Sequence, residues 1–135
     1  MHTTEDFNQA GAAHLPGLLG IEITEISTAG VKARMPVRAA LMAPNGYLHA
    51  GSLVSLADTC AGYGCVANLP PGAVGFTTLE LKSNHLGTAT QGVVECVATP
   101  VHLGKTTQVW DSVVRDVQTG KVLALFRCTQ MLLRG

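Results

Sequence analysis

Between Arg38 and Glu80 the chain carries a single Asp, Glu, Lys or Arg, and that residue is Asp58. The stretch around it, Gly46–Asn68, follows a turn signal at Pro44-Asn45-Gly46 and runs without proline to Leu69-Pro70-Pro71, which must stop a helix. On a helix over about residues 50–68, Ser52, Ser55, Asp58, Thr59 and Gly62 share one narrow strip of small residues, while Leu53, Val54, Leu56, Ala57, Cys60 and Ala61 cover most of the rest. Such a helix cannot face water, so the remainder of the chain has to wrap it. A surface Asp on an ordinary amphipathic helix would have charged neighbours within a turn or two, and here there are none. A carboxylate held inside is costly unless paired and its pKa rises, which makes Asp58 a functional candidate.

The size, 135 residues, suits one domain over residues 1–135. With 47% apolar residues, 13% charged residues and zero net charge, the chain is too apolar for disorder and too neutral for a nucleic-acid binder. The same balance points to apolar surface hidden in an oligomer. No run is long and apolar enough to span a membrane, and MHTTEDFNQ lacks the pattern of a signal peptide, so a cytoplasmic protein is expected. Cys60, Cys65, Cys96 and Cys128 form no CxxC pair and have no His at a zinc-finger spacing; they read as small buried thiols, with no metal and no cofactor.

Taken in order, Thr4-Glu5-Asp6 caps a short helix through about Leu15, which Pro16-Gly17 ends. GIEITEIS and VKARMPV alternate across the Ala29-Gly30 turn and read as an antiparallel hairpin, with Pro36 tolerated near the strand end. Arg38–Tyr47 is a loop into the central helix. After Pro70-Pro71-Gly72 come a strand with Thr77, Leu79 and Leu81 on one face, a strand over Gln91–Pro100, another over Thr106–Val117, and a last one over Lys121–Leu133, the last three forming a meander. Gly62 and Gly64 let the sheet approach the helix closely. Strands on both sides of one apolar helix give an α+β architecture in which a single antiparallel sheet curls around that helix, the hotdog fold.

Three segments carry a resemblance that covers nearly the whole chain from about Gly17. GYLHAGSLVSLADT resembles the His-Gly-Gly signature of hotdog acyl-CoA thioesterases of the phenylacetate-degradation type, and of the aryl-CoA thioesterases of that superfamily, with His49 in the motif position and the acid nine residues later at Asp58. His102–Asp116 is similar to a strand that contacts CoA in the aryl-CoA relatives, and Thr77–Asn84 to the strand whose Ser or Thr lies near the acid. The resemblance implies hydrolysis of a CoA thioester, a homo-oligomer (a dimer or dimer of dimers), and Thr78 as the group that positions water, with Thr77 on the opposite strand face.

The chemistry has a physical basis of its own. The N–H groups of Ala50 and Gly51 open the helix, lack intrahelical partners and sit at the positive end of its dipole, so they suit a thioester carbonyl and the oxyanion formed on attack. Asp58 can attack that carbon or activate a water. Ala50 and Asp58, eight residues apart, stand roughly 12 Å apart along one helix axis. One helix cannot serve both roles, and two antiparallel copies can. Ala50 replaces the first motif glycine but keeps the N–H. Ala43 stands where many relatives have Asn or Gln, and Asn45, two residues on, is a candidate for carbonyl binding. His49 serves as a loop tie or as a proton carrier. Lys105 and Thr106 in the Gly104-Lys-Thr-Thr turn are candidates for CoA phosphates, with Lys82, Asn84 and Arg115 as further candidates. Trp110, Phe76 and Tyr63 read as packing, and Glu80, Asp111 and Asp116 as exposed strand residues. The alternatives to a thioesterase are a hotdog dehydratase or hydratase and a non-catalytic acyl-CoA-binding module.

Overall fold

A computed structural model describes residues 2–135. Two short helices, α1 (Thr4–Gly11) and α2 (Leu15–Leu19), precede the strands β1 (Glu22–Ser27) and β2 (Gly30–Pro36). The long helix α3 (Ala50–Ala67) follows, and then β3 (Ala73–His85), β4 (Val93–Leu103), β5 (Thr107–Asp116) and β6 (Val122–Arg134). All six strands form one antiparallel sheet in the order β1-β2-β4-β5-β6-β3, and α3 touches every strand. The architecture expected from a helix whose only charged residue is Asp58 is the one observed.

Leu53, Leu56, Ala57, Cys60 and Ala61 of α3 are buried in one core with Ala33 and Met35 of β2, Val94 and Cys96 of β4, Trp110 and Val114 of β5, and Phe126 and Cys128 of β6. Each fully buried Leu of this set contributes about 1.5–3 kcal/mol. Two glycines set the distance between helix and sheet. A Cβ on Gly62 would stand 2.7 Å from the Phe76 ring, and one on Gly64 would stand 2.5 Å from the Trp110 indole, closer than real side chains approach. The end of α3 is tied as well. The Gln108 amide donates to the Asn68 carbonyl (2.9 Å) and accepts from the Trp110 indole N–H (2.8 Å), while the Asn68 amide donates to the carbonyls of Gly64 and Thr28.

Four expectations need correction. The first helix is capped by Thr3, not Thr4: Thr3 and Asp6 exchange backbone bonds in a capping box, and the helix stops at Gly11. Pro16 does not end that helix but sits in the first turn of α2, where its missing N–H removes no bond, and Gly20 ends α2 in the left-handed conformation (φ 75°). The run Arg38–Tyr47 holds a 3₁₀ turn at Ala39–Leu41 and a bridge between Met42 and Leu48. In β3 the alternation breaks. A register shift between Thr78 and Glu80 pairs Thr77 with Met131 and Thr78 with Gln130, then Glu80 with Thr129 and Leu81 with Cys128. Thr77 and Leu81 therefore lie on opposite faces, because a bulge inserts one residue that no period-2 reading contains.

Candidate active site

Asp58 lies on the sheet-facing flank of α3, half-buried, beside the inward face of β3. Its Oδ1 lies 3.4 Å from Oγ1 of Thr78, which in turn lies 2.8 Å from Oε1 of Gln130 on β6. Burial raises the Asp58 carboxyl above the ordinary range, a rise that a proton donated by the Thr78 hydroxyl would reduce. A carboxylate poised in this way is a stronger base than a solvated one. Cys128, the inward residue two before Gln130, is pushed up to about 12 by burial first and by the Asp58 charge second, so it stays a neutral thiol beside Asp58. The rest of the strip is small: Ser55 donates to the Gly51 carbonyl (2.8 Å), and Ser52, which is buried, donates to the Leu41 carbonyl (2.8 Å). That second bond ties the incoming loop to α3.

His49 caps α3. Its Nδ1 accepts from the Gly51 N–H at 2.7 Å, and its carbonyl accepts from the N–H groups of Ser52 and Leu53. Among the described residues the Ala50 N–H donates to nothing, so it is the open donor at the helix start. A Cβ on Gly51 would meet the His49 ring at 2.9 Å, whereas the Ala50 side chain points into the open. A side chain is thus accommodated at position 50 and crowded at position 51, which alone lies under the imidazole.

The other site candidates do not gather on Asp58 within one chain. Asn45 is exposed, and its Oδ1 accepts the Tyr47 N–H (3.1 Å) to shape the loop. Thr77, Lys82 and Asn84 pair with Met131, Arg127 and Leu125 and face outward from the sheet. Lys105 and Thr106 are exposed in the β4–β5 turn, which Arg134 ties through the Lys105 carbonyl to the loop after α3. Asp111 is bound by the Arg127 guanidinium through both oxygens (2.6 and 2.8 Å), and Asp116 accepts backbone N–H groups of the next turn. A cavity of about 620 Å³ opens beside β1, β2 and β4, and neither Asp58, Thr78 nor Gln130 lines it. The acid nearest it, Glu25, is paired with Lys32 (3.3 Å), and the cavity does not hold the site. Sequence reading missed Gln130. Its signal was a polar residue in the inward series Phe126, Cys128, Gln130, Leu132, visible once the strand's register is known.

Residues 45–123, the span from the helix-entry loop through β5, match the family model described as thioesterase superfamily. The chain belongs to this thioesterase superfamily. The 1,4-dihydroxy-2-naphthoyl-CoA hydrolase of Listeria monocytogenes is 36% identical over 111 residues, covering 82% of this chain and 89% of that one. The enzyme of the same name from Escherichia coli is 34% identical over 134 residues, covering 97% and 95%. A solved thioesterase from Haemophilus influenzae superposes with a TM-score of 0.92 at 32% identity, covering 99% of this chain and 92% of that one. A thioesterase variant from Pseudomonas aeruginosa gives 0.94 at 30% identity, with 100% and 96% covered. This hotdog thioesterase is thus a thioester hydrolase by family, and its own geometry supplies a lone basic carboxylate and an open helix start. No helix among the described residues is long and apolar enough to cross a membrane.

Proposed function

We propose that the chain hydrolyses an acyl- or aryl-acyl-CoA thioester to the free acid and CoA, with Asp58 as general base. The observation that carries this reading is the half-buried Asp58 carboxylate with the Thr78 hydroxyl beside it on a helix otherwise free of charge. Asp58 takes a proton from water as the water oxygen bonds to the carbonyl carbon. The negative charge that collects on the carbonyl oxygen is met by the Ala50 N–H, with Gly51 shared between this role and His49. The C–S bond then breaks, and the proton returns from Asp58 to the departing thiolate. The aryl part of the proposal draws on the relatives named for a naphthoyl-CoA substrate. Lys105 and Thr106, with Lys82 and Asn84, serve as candidates for the nucleotide end of CoA, and Asn45 as a candidate for the acyl end, whereas Thr77 faces outward from the sheet and is not kept for it. A hydratase would need His49 to work on substrate together with Asp58; the His49 Nδ1 is occupied by its own helix, which leaves Nε2 as the one nitrogen for such a role.

The working unit is a dimer or a dimer of dimers. Within one α3 the Ala50 and Asp58 positions are separated by roughly 12 Å, while an attacking atom must come within about 3–3.5 Å of its carbon. An antiparallel pair of α3 helices solves this by setting Asp58 of one chain against the helix start of the other. The strand β3 offers the edge for such pairing: it bonds only to β6, it is 13 residues long, and Val74, Leu79 and Leu81 along it are 69, 54 and 41% exposed.

The first test is Asp58→Ala against a panel of CoA thioesters with a free-thiol readout. The expected loss in kcat is at least ~10²-fold with the fold intact, and equal hydrolysis by the variant would refute the assignment. Single turnover in H₂¹⁸O separates base from nucleophile, since label entering the Asp58 carboxyl would demand a covalent intermediate. Mixing Asp58→Ala with Gly51→Val, each inactive alone, should return activity toward half after subunit exchange. Proven exchange without recovery would remove the shared site.

A further inference from the structure

An amide buried in a core needs partners, and Gln130 is fully buried on β6 with its Oε1 at 2.8 Å from Thr78 Oγ1 and its Nε2 at 3.5 Å from Cys128 Sγ. The Thr78 hydroxyl has one proton and two acceptors in reach, Gln130 at 2.8 Å and Asp58 at 3.4 Å. The first distance falls within the ordinary range for an O–H···O bond and the second lies beyond it. The proton therefore goes to Gln130, and the oxygen turns a lone pair toward Asp58.

We propose that Gln130 is a positioning residue: by taking the Thr78 proton it makes Thr78 an acceptor, so that Thr78 and Asp58 together hold the two hydrogens of the attacking water. Two acceptors 3.4 Å apart can each receive a bond from one water oxygen at about 2.8 Å. Asp58 then removes one hydrogen while Thr78 holds the other, which aims the water's free lone pair. Were the hydroxyl to donate to Asp58 instead, it would stabilise the carboxylate and weaken the base. Gln130 touches neither water nor substrate and acts only through Thr78. The titratable neighbours of the cluster are Cys128 on β6, Glu80 on β3 and Cys65 on α3. Burial pushes Cys65 up to about 11, so neither thiol ionises where Asp58 does.

This inference rests on Asp58 as the base, but its test does not require activity. The Asp58 carboxyl is titrated by ¹³C NMR in the parent, in Gln130→Met, in Thr78→Val and in the double variant. Removing Gln130 frees the Thr78 proton for Asp58, so Gln130→Met should lower the Asp58 midpoint. It should also reduce kcat about tenfold with KM unchanged and move the acid limb of the kcat profile down with the midpoint. In a Thr78→Val background Gln130→Met should do nothing more. A midpoint that rises in Gln130→Met would mean that the amide donates to Thr78, and an unchanged midpoint would mean that it does not steer the hydroxyl; either result overturns the proposal, as does the same shift without Thr78. Should Gln130→Met fail to fold, Thr78→Val still decides, because a rise of about one unit would be the signature of a lost donor to Asp58. If Asp58→Ala is fully active while these titrations behave as expected, the function falls and the hydrogen-bond assignment stands.

Discussion

The two halves of α3 are built to opposite ends. From Cys60 onward the helix is clamped: Cys60, Ala61 and Cys65 have no exposed surface, Gly62 and Gly64 sit against aromatic rings, and Gln108 holds the Asn68 carbonyl. From Ala50 to Thr59 only one side is held, by Leu53, Leu56 and Ala57 in the core; the other leaves Ala50 and Gly51 exposed, an N–H open at the helix start, and a carboxylate in partial burial that burial itself disfavours. The clamped half contributes the packing that lets the other half keep an unfavourable charge. Marginal stability leaves little room for such a charge unless neighbouring contacts are well made.

The largest effect should come from breaking the clamp. Gly64→Val drives a branched side chain into the Trp110 indole and should cost ~3 kcal/mol or more, read as loss of the cooperative melt or of soluble protein. A change at Gly51 should cost about 1 kcal/mol, the value of a lost helix cap, since it meets only the movable His49 ring. Comparable damage from both substitutions would erase the distinction between the halves. Next, Gln108→Leu leaves the Trp110 N–H and the Asn68 carbonyl without partners and should cost about 1–3 kcal/mol in denaturant melts, with kcat per folded molecule retained.

The half that carries Asp58 should respond with the opposite sign. The folded-state pKa of Asp58 is raised, so folding favours its protonated form. Its contribution is most favourable below the unfolded value of 3.8 and is lost as pH rises through the folded value. Asp58→Asn should therefore raise Tm at pH 7 by a few degrees, roughly 2–5 °C, while removing most activity. The gain should shrink to nothing by about pH 3, because the parent carboxyl is then neutral in both states. A Tm lowered at pH 7 would show that the charge is well satisfied after all. Smallest is the effect at the exposed turn beyond the clamp: Lys105→Ala should raise KM for CoA esters a few-fold with kcat unchanged, and leave thioesters lacking the nucleotide unaffected. Equal KM values for both substrate types in parent and variant would take Lys105 out of the site.

How much was legible before the fold was known follows from the same contrast. The helix over about residues 50–68, its burial, the role of Gly62 and Gly64 and the candidacy of Asp58 all follow from residue types at fixed spacing, because helical geometry maps sequence to surface with no further information. The hairpin before α3 and the meander after it follow from alternation and turn residues in the same way. Chain order alone left open which strand lies at the sheet's edge; pairing across long sequence separations puts β3 beside β6 and leaves its other side free. Thr78 and Thr77 look equivalent in a pattern of alternating residues, and the bulge after Thr78 sends Leu81 to the other face from the one expected. Gln130 is 72 residues from Asp58 in the chain, and only the register of β6 against β3 brings its amide to the Thr78 hydroxyl. The sequence by itself determined the central helix, most of the strands and the candidacy of Asp58, since these depend on local periodicity and on the cost of burying a charge. The tertiary structure alone decided the acid's neighbours, since a hydrogen bond between strands depends on register, and register is a property of the assembled sheet.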